Sequence, residues 1–283
     1  MHVWSKLSSA KWRDAWEERF HGLGQTNAVI SELPGGKSVR VEVYCEDEAT
    51  AQAIAEQFGG SVRKLKMENW AAMAPPQRAP IKIRDTILVT GEPDGDKLDA
   101  LRAEHADRHV ISIPAELAFG TGDHATTSTC LRLLSDFAAE FKKAGSAWNM
   151  LDLGTGTGLL AIAAMKLGAD PVEGFDFDAT AVGVAQKNAR RNATPDAKLY
   201  EADVFQWQPE PAKWDVVVAN IFADILEGNL DKIAVALKPG GKWVLSGILR
   251  ESEPGVVAAA LAAGLPEPTA IRKGKWVTLH GTR

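Results

Sequence analysis

The residues of this chain best placed to do chemistry lie in Asp152-Leu153-Gly154-Thr155-Gly156-Thr157-Gly158, an acid followed by a glycine at every second position. An apolar run from Trp148 leads into it and a helix-like run, Leu159 to Leu167, leaves it. Such a strand-to-helix turn lets the backbone approach a ligand where a side chain would clash. The spacing argues against one ligand class. A dinucleotide fingerprint, G-x-G-x-x-G, would place its third glycine at 159, and Leu159 stands there. Taken alone, the turn is explained equally well as a tight connection.

Other polar residues fall at comparable places. Asp176 follows Gly154 by 22 positions at the end of the next apolar run, where an acid accepts hydrogen bonds from ribose hydroxyls. Asp178 reads as the N-cap of the helix that follows. Asp203 and Asn220 end two further runs, 197–203 and 214–219. Upstream, 118–127 holds two glycines, three threonines and His124. Thr126 or Thr127 there is explained as well by an N-cap as by a ligand contact. His124 reads as a loop histidine held by backbone hydrogen bonds, because a general base would need a substrate proton within reach.

The elements that must carry these residues alternate. Strands are expected at 110–114, around 150, at 172–177, 197–203, 214–219, 242–245, 270–272 and 275–280. Helices are expected from 126, at 159–167, 179–191, 223–237 and 256–263. Cys130, Leu134, Phe137 and Phe141 share one face of the first of these helices. The 214–219 run is apolar throughout, as in a strand buried on both faces. Strand and helix in alternation give a doubly wound parallel sheet, with ligands at the carboxyl ends of its strands.

Residues 1–65 form a separate pattern. A helix is expected over 11–20 with Trp12, Trp16 and Phe20 on one core-facing stripe. Strands are expected at 28–33, 39–43 and near 62–65, and a second helix at 49–58, stopped by Gly59-Gly60. Strand-helix-strand-strand-helix-strand is the ferredoxin-like order. Residues 66–109, with Pro75, Pro76 and Pro80, read as a linker containing short extended pieces, and 110–283 as the larger domain.

Composition bounds the function. A chain of 283 residues, 45% hydrophobic, with mean hydropathy −0.14, can bury a full core. The net charge of −5 argues against a broad phosphate-binding face, hence against direct nucleic-acid binding, and agrees with a basic protein partner. Two cysteines, Cys45 and Cys130, are too few for a disulfide framework or a zinc site. The charged N-terminus lacks the apolar core of a signal peptide, and no run approaches a membrane span. A cytoplasmic protein is expected, working as a monomer, with no metal.

The motifs together resemble a known family. Phe119-Gly120-Thr121-Gly122-x-His124-x-Thr126-Thr127, then Asp152-x-Gly154-x-Gly156-x-Gly158-x-Leu160-x-Ile162-Ala163-Ala164, then Asn220-Ile221-x-Ala223 are similar to the PrmA family, whose members trimethylate amino groups of ribosomal protein L11. The small N-terminal domain and the Trp70–Pro80 connector fit it too. The chain departs from the family at Asp123, at Ala125, where proline is usual, and at Thr155, where cysteine is common.

The resemblance implies a seven-stranded Rossmann-like methyltransferase domain dependent on S-adenosylmethionine (SAM), behind an N-terminal ferredoxin-like domain that selects the substrate. It implies that Thr127, Gly154, Gly156, Asp176, Asp203 and Asn220 contact or adjoin SAM. It implies also that Phe119, Gly120 and Thr121 form a lid, and that Asn220 serves catalysis. Asn-Ile in place of Asn-Pro-Pro-Tyr favours an aliphatic amine acceptor, a lysine side chain or an N-terminus, over a planar amide. The other readings are a nicotinamide oxidoreductase, disfavoured by Leu159, a methyltransferase for lysines of another protein, and a non-catalytic SAM-fold binding module.

Overall fold

A computed structural model describes residues 2–12, 16, 20, 28–33, 37–45, 47–64, 79–114 and 124–283. The chain separates into two compact units, 1–75 and 76–283.

The first unit carries four strands, β1 (His2–Ser9), β2 (Ala28–Glu32), β3 (Ser38–Cys45) and β4 (Ser61–Lys64), and helix α1 (Glu48–Phe58). They pair antiparallel throughout in the order β2-β3-β1-β4, which is the ferredoxin-like order. Alternation in β3 turns Val39, Val41, Val43 and Cys45 into a core with Trp4, Trp16 and Phe20. Trp16 and Phe20 stack with centroids 5.7 Å apart, and Trp4 meets Phe20 edge-on at 5.5 Å. Trp12 departs from the expected stripe. It ends a short 3₁₀ turn, Ala10–Trp12, and stands 54% exposed, because that turn does not keep the helical phase that would align it with Trp16.

The second unit has two sheets. The smaller joins β5 (Ile81–Ile83), β6 (Ile87–Thr90) and β7 (His109–Ser112), with helix α2 (Asp96–Glu104) between the last two. The expected linker 66–109 is therefore revised. From 81 on it is folded structure, and Ile83, Ile87, Val89 and Ile111 are buried in the core of the larger unit. The short extended pieces expected there are these strands, Ile81–Ile83 and Ile87–Thr90; what differs is that they belong to the larger unit rather than to a linker. Residues 65–78 lie outside the described residues.

The larger sheet holds β8 (Met150–Leu153), β9 (Val172–Asp176), β10 (Lys198–Glu201), β11 (Trp214–Asn220), β12 (Leu237–Leu249), β13 (Thr269–Lys273) and β14 (Trp276–Thr282). Their order is β10-β9-β8-β11-β12-β14-β13, parallel except for β14, which runs antiparallel to both its neighbours. Helices α3 (Ala125–Ala144), α4 (Leu159–Lys166), α5 (Ala179–Arg191), α6 (Ala223–Glu227), α7 (Leu230–Ala236) and α8 (Glu253–Ala262) connect the strands. One core layer unites α3, α4 and the small sheet with one face of the large sheet, and a second lies on the opposite face under α6, α7 and α8. Burial of Leu131 and Leu134 on α3, both fully inside, contributes about 2 kcal/mol each.

Two expected elements differ. Helix 223–237 is broken at Gly228-Asn229, both poor helix formers, and the Asn229 amide bonds back to the Ile225 carbonyl at 2.9 Å. Strand β12 starts at Leu237 rather than 242. Its register against β11 jumps from Trp214↔Leu237 to Val216↔Lys242, so the expected turn 238–241 becomes an excursion within the strand, bonded to the Arg283 backbone.

Candidate functional site

Strand β8 ends at Leu153 and α4 begins at Leu159; between them Gly154, Gly156 and Gly158 all hold positive φ, at 70°, 52° and 79°. The amides of Gly154 and Thr155 donate to the Phe175 carbonyl of β9 at 2.9 and 3.0 Å, which ties the turn to the neighbouring strand. Asp176 ends β9 beside it. Its carboxylate accepts from the Gly156 amide at 2.9 Å and from the Asp178 amide at 3.1 Å. Asp178 caps α5 through the Thr180 amide at 2.8 Å, as its spacing suggests.

Asn220 ends β11 on the other side of β8. Its Nδ2 donates to Thr127 Oγ1 at 3.3 Å. Its Oδ1 is buried and has no hydrogen-bond partner among the described residues. Thr127, Gly154, Thr155, Thr157 and Asn220 line one small cavity at this edge. The structure thus brings together Thr127, Gly154, Gly156, Asp176 and Asn220. Asp203 follows β10, two strands from β8. Its carboxylate closes its own turn on the Phe205 amide at 2.9 Å, while the Ala202 amide donates to the Asp176 carbonyl at 2.9 Å and keeps the two acids adjacent. Phe119, Gly120 and Thr121 lie outside the described residues.

Neither Thr126 nor Thr127 is the cap of α3. That place belongs to His124, whose Nδ1 accepts from the Thr126 amide and lies 2.6 Å from Thr126 Oγ1. Its ring meets Trp276 edge-on at 4.8 Å. Thr127 sits in the first turn of α3, which is what aims its hydroxyl at Asn220.

Asp152 lies behind the turn, fully buried, its Oδ2 accepting from Thr155 Oγ1 at 2.7 Å. Burial pushes its pKa up to about 7, and the Asp176 charge adds to the rise against the Thr155 and Ala161 hydrogen bonds. Cys130, below it on α3, is pushed up to about 12, mainly by burial, and is an inert thiol.

Sequence reasoning passed over three aromatics. Phe177, Phe205 and Phe222 are each more than half exposed, and each stands one or two residues past Asp176, Asp203 or Asn220. The signal was present in the chain: an aromatic closely following each strand-end polar residue. Among the described residues no group of three or more His, Cys, Asp or Glu could hold a metal, and no helix is long and apolar enough to cross a membrane.

Numbered from β8, the parallel sheet runs 3-2-1-4-5-7-6 with its seventh strand reversed, and the glycine turn leaves strand 1 beside an acid that ends strand 2. These features define a SAM-dependent methyltransferase of the seven-stranded class. The orphaned Asn220 carbonyl and the two acids beside the turn suit a cationic adenosyl ligand.

Within that class the comparisons are specific. Residues 25–283 match the family model described as ribosomal protein L11 methyltransferase (PrmA). A relative of that name from Geobacter metallireducens is 35% identical over 241 residues, 83% of this chain and 73% of its own. One from Cupriavidus necator is 35% identical over 271 residues, 92% and 84%. The crystal structure of a ribosomal protein L11 methylase from Lactobacillus delbrueckii subsp. bulgaricus superposes with a TM-score of 0.58 at 27% identity, covering 72% of this chain and 97% of that one. The chain belongs to the ribosomal protein L11 methyltransferase family, and its cofactor is S-adenosylmethionine.

Proposed function

We propose that this protein transfers methyl groups from SAM to amino groups, lysine side chains or the N-terminus, of ribosomal protein L11, in the cytoplasm and as a monomer. The observation that carries the reading is the Asn220 side-chain carbonyl, buried and unpartnered among the described residues beside the glycine turn, with Ile221 following it rather than the Pro-Pro-Tyr of amide and adenine methyltransferases. Two family members bear the L11 methyltransferase name at 35% identity.

Bound at the turn, SAM supplies an electrophilic methyl on a leaving group that needs no further activation. The chain's residues position and desolvate, which is worth roughly 7–11 kcal/mol in such displacements. Gly154 and Gly156 would present backbone to the cofactor, Asp176 would accept from its ribose hydroxyls, and Asp203 with the exposed rings of Phe177 and Phe205 would be available to its adenine. Thr127 fixes the Asn220 amide so that Oδ1 accepts from the acceptor amine and aims its lone pair. Meeting a lysine as the neutral amine costs about 4 kcal/mol at pH 7.5, from a pKa near 10.4. A dry pocket lowers that pKa, and the proton leaves to water before transfer. His124 is engaged as a helix cap and serves no base role. Residues 1–65 select the protein substrate; residues 1–60 carry nine acidic against six basic side chains, which suits a lysine-bearing partner.

The test is incubation of the full chain with SAM and purified L11, followed by mass spectrometry of intact and digested protein. Methyl increments on L11 amines are expected. Methylation of a different ribosomal protein with L11 untouched would overturn the substrate.

A further inference from the structure

Strand β11 lies between β8 and β12, and the residue that follows Asn220 touches both neighbours. A side chain on Gly154 would place its Cβ well inside 3.0 Å of Ile221 Cγ2, while the Ile221 Cβ would remain at 3.7 Å, an ordinary contact. A Cβ on Gly247 of β12 would stand 2.5 Å from the Ile221 carbonyl oxygen and 3.1 and 3.2 Å from its carbonyl carbon and amide nitrogen. Gly154 and Gly247 both hold left-handed φ, 70° and 83°. The Ile221 side chain therefore fills the side-chain space of Gly154, and the Ile221 backbone fills that of Gly247.

The consequence concerns Asn220. Its amide is fixed by Thr127 alone among the described residues, at 3.3 Å, a long hydrogen bond. Its backbone, one peptide before the wedge, cannot shift along the sheet edge without Ile221 leaving one of the two glycines. We propose that Ile221 is a positioning residue that sets Asn220 against the glycine turn, and that position 154 is glycine because Ile221 occupies the place of its side chain. The proposal rests on the reading that the turn holds SAM and Asn220 faces the acceptor amine. It changes what that turn means: the backbone of Gly154 still lines the cavity, but the space its side chain would take belongs to the residue after Asn220, so donor and acceptor positions are set by one side chain. Gly247 joins the site for the same reason, although it lies in none of the motifs.

The experiment uses the full chain as wild type, Gly154→Ala, Ile221→Ala, Gly154→Ala/Ile221→Ala and Gly154→Ala/Ile221→Val, with SAM dissociation constants by calorimetry, kcat at saturating SAM and the thermal midpoint. Alanine keeps Cβ and removes Cγ2, whereas valine keeps a methyl in that place. Gly154→Ala is expected to weaken SAM at least about tenfold through overpacking. The Ile221→Ala background recovers most of that loss, leaving the few-fold penalty of alanine at positive φ, and the valine background recovers none. Ile221→Ala alone lowers kcat while SAM affinity stays within a few-fold, the split expected when Asn220 is loosened and the donor site is intact. If Gly154→Ala unsettles the fold, the same recovery with alanine and not valine is read on the midpoint. A double alanine variant as weak and as unstable as Gly154→Ala would overturn the wedge. A wild-type chain that binds no SAM would instead remove the reading beneath it, and the wedge's functional meaning with it.

Discussion

Asp176 serves two structures at once. Its carboxylate takes the Gly156 amide of the glycine turn and the Asp178 amide ahead of α5, and in the proposed reading its remaining lone pairs meet a ribose. Asp176→Ala should raise the SAM dissociation constant by tenfold to a hundredfold or more, since a hydrogen bond to a charged group is worth about 1.5–3 kcal/mol and the turn loses its brace too. Calorimetry showing unchanged affinity would remove Asp176 from the site. Asp152, one strand over, yields a pH prediction. Its folded pKa is about 7 and its unfolded value near 3.9, so the native state holds the proton more tightly. Stability from this group is present below pH 4 and is lost as pH rises through 7. Asp152→Asn should therefore gain on the wild type across that window, by up to about 1.4 kcal/mol per pH unit. Denaturant melts at pH 5 and pH 8 that differ equally for both chains would contradict the raised pKa.

At the scale of elements, the C-terminal end of α5 joins the small sheet to the glycine turn. Asn188 is fully buried; its Nδ2 donates to the Thr157 carbonyl at 3.0 Å and its Oδ1 accepts from Arg191 Nη1 at 2.7 Å. Arg191 in turn pairs with Asp94 at 3.0 Å, just before α2, and Asn192 exchanges hydrogen bonds with both backbone groups of Ser112 in β7. The β5–β7 module thus braces the turn through one helix end. Asn188→Ala should weaken SAM roughly three- to tenfold, the cost of one buried hydrogen bond passed to the ligand. A fall in thermal midpoint with SAM affinity intact would confine Asn188 to folding. The same network shows why an appended module is packed so closely against a nucleotide-type domain: its polar ends are satisfied by α5 and its apolar face by α3 and α4.

For the whole molecule, the unit boundary near residue 75 defines where the chain can be divided. A chain starting at 105 would remove β5, β6 and α2, expose Ile111 and Ile113, and strip Arg191 of Asp94. A chain of residues 79–283 keeps all of these. The expected outcome is that 79–283 binds SAM within a few-fold of full length yet methylates the protein substrate far more slowly, whereas 105–283 is destabilised. Full-rate methylation by 79–283 would show that the N-terminal unit does not select the substrate.

Local chemistry was legible in the chain because it obeys local rules. Glycine spacing, an acid at a strand end, a capping aspartate and runs apolar on both faces each follow from backbone sterics or periodicity, and they placed Gly154, Asp176 and Asn220 at strand ends and Asp178 at a helix cap. Other things needed the third dimension. That Thr127 meets Asn220 across 93 positions, that His124 rather than a threonine caps α3, that Ile221 fills the space of Gly154, and that residues 81–112 belong to the larger unit all depend on which elements become neighbours. Short extended pieces such as Ile81–Ile83 can be read from the chain, but not the unit they join, because contacts between distant segments are set by packing of whole layers, which no window of sequence contains.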